Sequence, residues 1–225
     1  MIIVTGASKG LGLAICERLI ENNIEVFGLA RNIEELHFPS MSCDVSSYES
    51  VKAVAQHFKK ERVQVTGLVN AAGIASMNLA VTTPQSVAQK IINTNLLGTI
   101  YCCQLIAPLM LRNKKGSIIN FSTIAVALGL KGESIYAASK AGVEGFTRAF
   151  AREMADFNVK VNCIAPGPID TNLLKGITAD QINRIVSQQI IPKKFKPDSV
   201  ADLVELLIDN RSDSLSGQVL HVGGV

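Results

Sequence analysis

Charged residues are scarce in this sequence, and no long run of one charge occurs. They make up 18% of the 225 residues, the net charge is +3, and no lysine or arginine run exceeds a pair such as Lys114-Lys115 or Lys193-Lys194. Proteins that bind nucleic acid usually carry a basic patch or stripe. We therefore expect no nucleic-acid partner and interpret both pairs as solvated surface charge.

The cysteines are spaced for neither a metal site nor a disulfide framework. They are odd in number, none stands in a Cys-x-x-Cys spacing, and each lies in an apolar run: Cys16, Cys43, Cys102, Cys103 and Cys163. This pattern is typical of buried free thiols in a reducing compartment. We expect no bound metal and a cytoplasmic protein.

Long uninterrupted apolar runs are also missing. No segment approaches 18 consecutive apolar residues, so we expect no membrane span. The first strand-like run, 2–4, stands at the start of the sequence, and we expect no signal or transit peptide before it. Apolar residues still make up 48% of the sequence, which is typical of a compact globular protein.

Short apolar strands alternate with helical stretches along the whole chain. Strand-like runs stand at 2–4, 25–30, 41–43, 67–69, 117–121, 159–164 and 218–222, and helical patterns at 11–20, 46–60, 84–112, 134–157, 178–189 and 197–208. The alternation predicts an α/β fold, a single-domain, doubly wound parallel sheet of the Rossmann type over residues 1–225. We expect about seven strands with helices on both faces. The segment 32–40 leaves room for only about two helical turns between the second and third strands.

The loop after the first strand has the composition of a phosphate-binding turn. Residues 5–12, here called the glycine loop, read Thr-Gly-Ala-Ser-Lys-Gly-Leu-Gly, a G-x-x-x-G-x-G spacing that opens a helix. Glycines let a pyrophosphate approach the backbone, and a helix N-terminus supplies N–H groups and a positive dipole. The candidate contacts are Gly6, Ser8, Lys9, Gly10, Leu11 and Gly12.

The end of the second strand indicates which dinucleotide is bound. NAD enzymes place an acidic residue there for the ribose 2′-hydroxyl, whereas an arginine accommodates a 2′-phosphate. The sequence has Ala30-Arg31 at this point, and Lys9 offers a second positive charge. The alternative is that both are surface cations. We predict NADP(H) as the cofactor, with NAD(H) less favoured.

Tyr136 and Lys140 stand four apart near the start of a predicted helix and so share a face. A nearby ammonium favours phenolate and brings the pKa of a phenol towards the useful range for acid–base chemistry. The Y-x-x-x-K spacing is common in helices and by itself indicates little.

Together with Asn70-Ala-Ala-Gly73 and Pro166-Gly167, the glycine loop and the Tyr136/Lys140 pair make the chain resemble the classical short-chain dehydrogenase/reductase family. The resemblance extends over 4–224 and is closest to the 3-oxoacyl-(acyl-carrier-protein) reductase type. It implies that Tyr136 donates the proton in reduction, that Lys140 lowers its pKa and binds the nicotinamide ribose, and that Asn95 holds a relay water. Further cofactor contacts implied by the resemblance are Asp44, Val45, Asn70, Ala71, Gly73, Pro166, Gly167, Ile169 and Thr171.

The sequence departs from the family at the catalytic serine. Thirteen residues before Tyr136 stands Thr123, preceded by Ser122. Threonine keeps a hydroxyl that can bond a substrate carbonyl, while its methyl group crowds the pocket. Because neighbours in an extended chain face opposite sides, we assign the role to Thr123 rather than to Ser122.

The sequence also departs from the family at the carrier-protein surface. Arg112, Lys114 and Lys115 supply one basic region, but the second region reads Asp156-Phe157 and lacks its basic residue. Docking of an acyl carrier protein is therefore not expected, and a free ketone or a coenzyme A ester stays open. His221 precedes the final glycines, where the family commonly has an acidic residue, and we expect a structural role for it.

A substrate lid is expected over about 168–197. We expect Leu173, Leu174 and Ile177 to face the pocket, with Val126 and Leu128 joining them after Thr123. The predicted substrate residues are thus Thr123, Val126, Leu173 and Leu174, and they favour an apolar or medium-sized substrate.

The leading hypothesis is an NADPH-dependent ketoreductase of the 3-oxoacyl-thioester type. One alternative is a biosynthetic reductase or dehydrogenase acting on a sugar or a polyketide. Another is a sensor or scaffold that binds NADP(H) without turnover. The resemblance implies a homotetramer or homodimer.

Overall fold

A seven-stranded parallel sheet forms the centre of the protein. In this computed structural model, which describes residues 1–171 and 178–225, the strand order is β3-β2-β1-β4-β5-β6-β7, and every neighbouring pair is parallel. The strands are β1 Ile2–Thr5, β2 Val26–Ala30, β3 Ser40–Ser42, β4 Gly67–Asn70, β5 Gly116–Phe121, β6 Val159–Pro166 and β7 Val219–Val222. The predicted single-domain Rossmann-type fold is confirmed.

Helices cover both faces of the sheet. They are α1 Gly10–Glu21, α2 Tyr48–Lys60, α3 Gln85–Ile92, α4 Gly98–Ile106, α5 Pro108–Leu111, α6 Ala125–Leu128, α7 Ser134–Ala155, α8 Ala179–Val186 and α9 Pro197–Ile208. Successive side chains of β1 point to opposite faces. Ile3 therefore packs in one core with Phe58 of α2, while Val4 packs in the other with Leu19 of α1 and Leu207 of α9.

The segment between β2 and β3 differs from the expectation of about two helical turns. Residues 31–39 form turns without a helix. Gly28 N–H donates to the Pro39 carbonyl at 2.8 Å, and a Cβ at Gly28 would lie 2.7 Å from Cε2 of Phe38. Residues 31–39 thus connect β2 to β3 without a helix, and the Phe38 ring occupies the space beside Gly28.

The predicted helix over 84–112 is observed, with a break at Ala107 between α4 and α5 and one π-helical irregularity. A π-helical segment, Asn93–Leu97, joins α3 to α4. The whole stretch Gln85–Leu111 is long and apolar enough to cross a membrane by length and composition alone, a test that a buried core helix also passes. Here Cys102, Cys103 and Ile106 on this stretch are buried in the core beside α2 and the sheet.

Candidate active site

The carboxyl ends of the central strands meet where the strand order reverses. β1 pairs with β2 on one side and with β4 on the other, and in such sheets ligands bind in the crevice at this reversal. The glycine loop follows β1, and the segment containing Ala71, Ala72 and Gly73 follows β4. Ala72 N–H donates to the Thr5 hydroxyl at 3.1 Å, which joins the two loops.

The glycines of the glycine loop stand where a side chain would be strained or would clash. Gly6 and Gly10 have φ of +69° and +57°, in the left-handed region that favours glycine. A Cβ at Gly6 would lie 2.9 Å from the backbone of Ala72, and one at Gly12 would overlap the carbonyl oxygen of Gly6. α1 begins at Gly10, and its N-cap Lys9 makes no side-chain capping bond. This cradle, closed by backbone and ending at a helix N-terminus, fits a dinucleotide phosphate.

Asn70 lies beneath the site, inside the sheet. It is buried, and its Nδ2 donates to Asn120 Oδ1 at 2.9 Å and to Cys103 Sγ at 3.3 Å. Asn120 in turn donates to the Thr147 hydroxyl of α7 at 2.9 Å. The side chain thus ties β4, β5 and α7 together.

Arg31 and Asp44 lie at the edge of the crevice, beyond β2 and β3. Arg31 is exposed. Asp44 Oδ1 accepts from the backbone N–H and the hydroxyl of Ser46, at 3.0 and 2.7 Å. These bonds hold the pKa of Asp44 below its usual value, with Arg31 and Lys90 adding to the effect. The Arg31 guanidinium therefore lies close enough to Asp44 for its charge to lower the pKa of that carboxyl.

Lys140 is buried at the carboxyl end of β5. Its Nζ donates to the carbonyl oxygen of Phe121 at 2.8 Å. Burial lowers the pKa of Lys140 to about 8, although the neighbouring Cys163 raises it slightly. A Cβ at Gly73 would lie 3.5 Å from this Nζ and 3.3 Å from Asn95 Oδ1. Because Gly73 has no side chain, the segment after β4, here called the β4 loop, leaves the Lys140 ammonium uncovered on that side.

Tyr136 behaves differently from the expectation that Lys140 lowers its pKa. Burial raises the pKa of the phenol and the charge of Glu133 raises it further, while hydrogen bonding to Thr123 lowers it. Lys140 is not among the groups that shift the pKa of this phenol, and its ammonium donates to the Phe121 carbonyl instead. The spacing of four residues placed both groups on one helix face, but it carried no information on burial.

Asn95 lies in the π segment and is fully buried. Its amide accepts from Ile74 N and donates to Ile74 O, both at 2.9 Å, and also donates to the Ser139 hydroxyl at 3.1 Å. Ser139 in turn donates to the Tyr136 carbonyl at 2.7 Å. The Asn95 side chain therefore clamps the β4 loop to α7. Ile74 and Ser139 were not singled out in the sequence, since neither carries a motif of its own.

Ser122 and Thr123 have different partners. The Ser122 hydroxyl donates to Glu144 Oε1 at 2.7 Å, and Glu144 also pairs with Arg148 at 3.2 Å. Thr123 Oγ1 accepts from Ala125 N at 3.2 Å and interacts with Tyr136. Of these two neighbouring hydroxyls, Thr123 is the one associated with the phenol.

The short chain dehydrogenase family model matches residues 1–182. The chain is a short-chain dehydrogenase/reductase. It is 34% identical to 3-oxoacyl-(acyl-carrier-protein) reductase FabG of Chlamydia muridarum, over 99% of this chain and 95% of that one. It is 31% identical to carbonyl reductase family member 4 of Xenopus laevis, over 98% and 95% of the chains.

Two solved structures are similarly close to this short-chain dehydrogenase/reductase. The aldohexose dehydrogenase AldT of Thermoplasma acidophilum is 31% identical with a TM-score of 0.89, covering 99% of this chain and 92% of that one. ElxO with NADP bound is 28% identical with a TM-score of 0.90, covering 98% and 96%. The protein is thus an oxidoreductase acting on CH–OH or C=O groups with a nicotinamide cofactor, which the glycine cradle fits.

A cavity of about 120 Å³ opens beside the phenol of this dehydrogenase/reductase. Its polar lining residues are Ser122, Thr123, Glu133, Tyr136 and Thr171, and the rest are Leu11, Ala75, Ile124, Leu130, Pro166, Gly167, Pro168, Ile169 and Ile185. Of the predicted substrate residues, Thr123 lines it; Val126 does not, and the neighbouring Ile124 takes that place. Leu173, Leu174 and Ile177 lie outside the described residues.

A second cavity of about 510 Å³ shares Leu130 and Ile185 with the first. It carries the cations Lys131 and Arg184. The two cavities therefore adjoin at these two side chains.

Gln189 was also missed in the sequence. It is buried, and its Nε2 donates to the Lys193 carbonyl at 2.9 Å. A Cβ at Gly167 would overlap its Oε1, and one at Gly223 would lie 2.6 Å away. The Gln189 side chain thus packs the segment after α8 against the loop after β6. The space that it occupies is open only because residues 167 and 223 are glycines.

Proposed function

We propose that this protein is an NADPH-dependent reductase that transfers a hydride between the nicotinamide and a ketone or secondary alcohol. The observation that carries the proposal is the Thr123–Tyr136 pair beside the small cavity, with Lys140 buried behind it. The bound cofactor supplies or accepts the hydride. Tyr136 holds the proton at its phenol oxygen, and its raised pKa keeps the phenol protonated.

The other residues orient the reacting groups. The Thr123 hydroxyl would hold the substrate carbonyl, and the Lys140 ammonium, with donors beyond its bond to Phe121, would bind the nicotinamide ribose. The glycine loop, with Ser8 and Leu11, would hold the pyrophosphate. Val45 and Asp44 would contact the adenine, Gly73 would line the cofactor groove, and Asn95 would hold the water of the proton relay. Ala71, Pro166, Gly167, Ile169 and Thr171 would complete the groove.

NADP(H) is favoured over NAD(H). The end of β2 carries the exposed Arg31 and no acidic residue, and Lys9 in the glycine loop is also exposed. An arginine fork suits a 2′-phosphate. The structural neighbour ElxO has NADP bound.

Two substrate classes are candidates. A 3-oxoacyl thioester is favoured by the relatives named 3-oxoacyl-(acyl-carrier-protein) reductase and by the adjoining cavity, whose Lys131 and Arg184 suit an anionic tail. A hydroxylated ketone or sugar is favoured by the Glu133 carboxyl in the small cavity. Docking of a carrier protein is not part of the proposal, since the end of α7 lacks a basic residue at Asp156-Phe157.

We propose the substrate lid at 168–197, in which Leu173 and Leu174 lie outside the described residues. We place the protein in the cytoplasm, which the five buried free thiols support.

A homotetramer or homodimer would be its working form. Light scattering after size exclusion measures that assembly.

The test is oxidation of NADPH and NADH in the presence of a panel of ketones and 3-oxoacyl thioesters. Turnover with NADPH at a higher kcat/KM than with NADH supports the proposal. Equal use of NADH would contradict the role of Arg31. Cofactor binding without turnover of any substrate would favour the alternative of a sensor or scaffold.

A further inference from the structure

Glu133 is the single acidic residue among those that line the small cavity. It is the N-cap residue of α7, three residues before Tyr136, so the two side chains share a helix face. Its charge acts on the phenol, raising the pKa of Tyr136. The carboxyl thus stands next to the position where the substrate carbonyl must lie.

The Glu133 carboxyl has no hydrogen bond or ion pair to any residue among 1–171 and 178–225. Only its backbone is engaged: its N–H donates to the Leu130 carbonyl at 3.2 Å, and its carbonyl accepts from Ala137. The side chain is half-buried, and burial raises the pKa of the carboxyl above its usual value. A half-buried carboxyl without a protein partner is free to accept hydrogen bonds from water or from a ligand in the cavity.

The remaining lining narrows the chemistry of that ligand. Apart from hydroxyl groups, the side chains around the cavity are apolar, among them Leu11, Ile124 and Ile169. No lysine or arginine lines this cavity among the described residues, so a substrate carboxylate would meet Glu133 without a compensating cation. A substrate hydroxyl, in contrast, would donate to the carboxyl.

We propose that Glu133 determines specificity: its carboxyl selects ketones and secondary alcohols that carry a hydroxyl group one or two carbons beyond the reacting carbon, and rejects those that carry a carboxylate there. This rests on the proposed reductase function and deepens it by naming the substrate class. Glu133 accepts the substrate hydroxyl while Thr123 and Tyr136 hold the carbonyl, so that two points orient the substrate in a small apolar cavity.

A series of methyl ketones with one common head group tests this. The series is 2-butanone, 4-hydroxy-2-butanone, acetoacetate and the N-acetylcysteamine thioester of acetoacetate. With the wild-type protein and NADPH, we expect the hydroxyketone to exceed 2-butanone in kcat/KM by about tenfold to a hundredfold, the range for a hydrogen bond to a charged group. Acetoacetate is expected to be the poorest of the four.

Two variants assign the preference to the side chain. Glu133→Leu removes both acceptors and should bring the ratio of hydroxyketone to 2-butanone near one. Glu133→Gln removes the charge and keeps an acceptor, so the ratio should fall less while the relative kcat/KM for acetoacetate rises. Glu153→Gln is the matched control, since it makes the same charge change on an exposed position of α7. Melting temperatures confirm that each variant folds.

The outcomes separate the two proposals. Turnover of the series without a hydroxyketone preference, or a preference that survives in Glu133→Leu, overturns the role of Glu133 and leaves the reductase function standing. A wild-type preference for the thioester, unchanged in both variants, does the same. If the wild-type protein binds NADPH but reduces none of the four ketones nor any wider panel, both proposals fail.

Discussion

The Ser122 hydroxyl donates to Glu144 at 2.7 Å, while the next residue, Thr123, interacts with Tyr136, and both residues line the small cavity. The two neighbouring hydroxyls therefore have different partners. Ser122 donates to a buried carboxylate, and the Thr123 hydroxyl is the one beside the phenol.

Substitution at these two positions should separate catalysis from stability. Thr123→Ala should lower kcat about 100- to 1000-fold, the usual cost of removing one donor to a reacting oxygen, without weakening NADPH binding. Ser122→Ala should retain most turnover but lose about 1–3 kcal/mol of unfolding free energy, because buried Glu144 loses a partner. Steady-state kinetics, NADPH fluorescence titration and urea unfolding measure the three quantities. The reverse pattern would move the catalytic hydroxyl to Ser122.

Arg31→Ala should weaken the use of NADPH selectively. Losing a guanidinium that binds a 2′-phosphate should raise the KM for NADPH about tenfold or more and leave the KM for NADH nearly unchanged. Arg152→Ala, an exposed arginine of α7, is the control for the change in net charge. If both coenzymes are affected equally, Arg31 does not recognise the phosphate.

Glu133→Gln should shift the pH profile of alcohol oxidation. In that direction Tyr136 must act as a base, so the rate rises as the phenol loses its proton. The Glu133 charge raises the pKa of Tyr136, and removing it should therefore move the rising limb of the kcat profile to lower pH. The profile of Glu153→Gln should match the wild type. An unchanged profile, or a shift to higher pH, would mean that Glu133 does not raise the pKa of the phenol through its charge.

Lys140 should make the stability of the protein depend on pH in a defined window. Burial lowers its pKa from 10.5 to about 8, so between those values the unfolded chain binds more protons than the folded one. This group's contribution to the unfolding free energy should therefore rise with pH across the window, by of order 1 kcal/mol per pH unit. Urea unfolding of wild type and Lys140→Met, compared at several pH values, isolates it. A difference that does not change with pH would mean that Lys140 titrates normally.

The fold was largely predictable from the sequence, because short β-branched runs and 3.6-residue periodicities mark the strands and helices, as in 159–164 and 197–208. The turns between β2 and β3 could not be predicted from the sequence, because Phe38 packs against Gly28 only once the sheet has formed. The glycine loop was predictable because only glycine allows its backbone path.

The electrostatics of the site were not predictable from spacing. The distance of four residues between Tyr136 and Lys140 shows that they share a face, but the burial that raises one pKa and lowers the other comes from tertiary packing. The same holds for Asn95, whose clamp on Ile74 joins residues 21 apart in sequence, and for Glu133, which no motif marks.

The central claim is that Tyr136 supplies the proton for NADPH-dependent ketone reduction, and Tyr136→Phe tests it most directly. We expect the wild-type protein to oxidise NADPH in the presence of a ketone from the panel. The phenylalanine variant should bind NADPH with unchanged affinity and turn over at least about 100-fold more slowly, the scale of positioned acid catalysis. Equal turnover by both proteins would contradict the account.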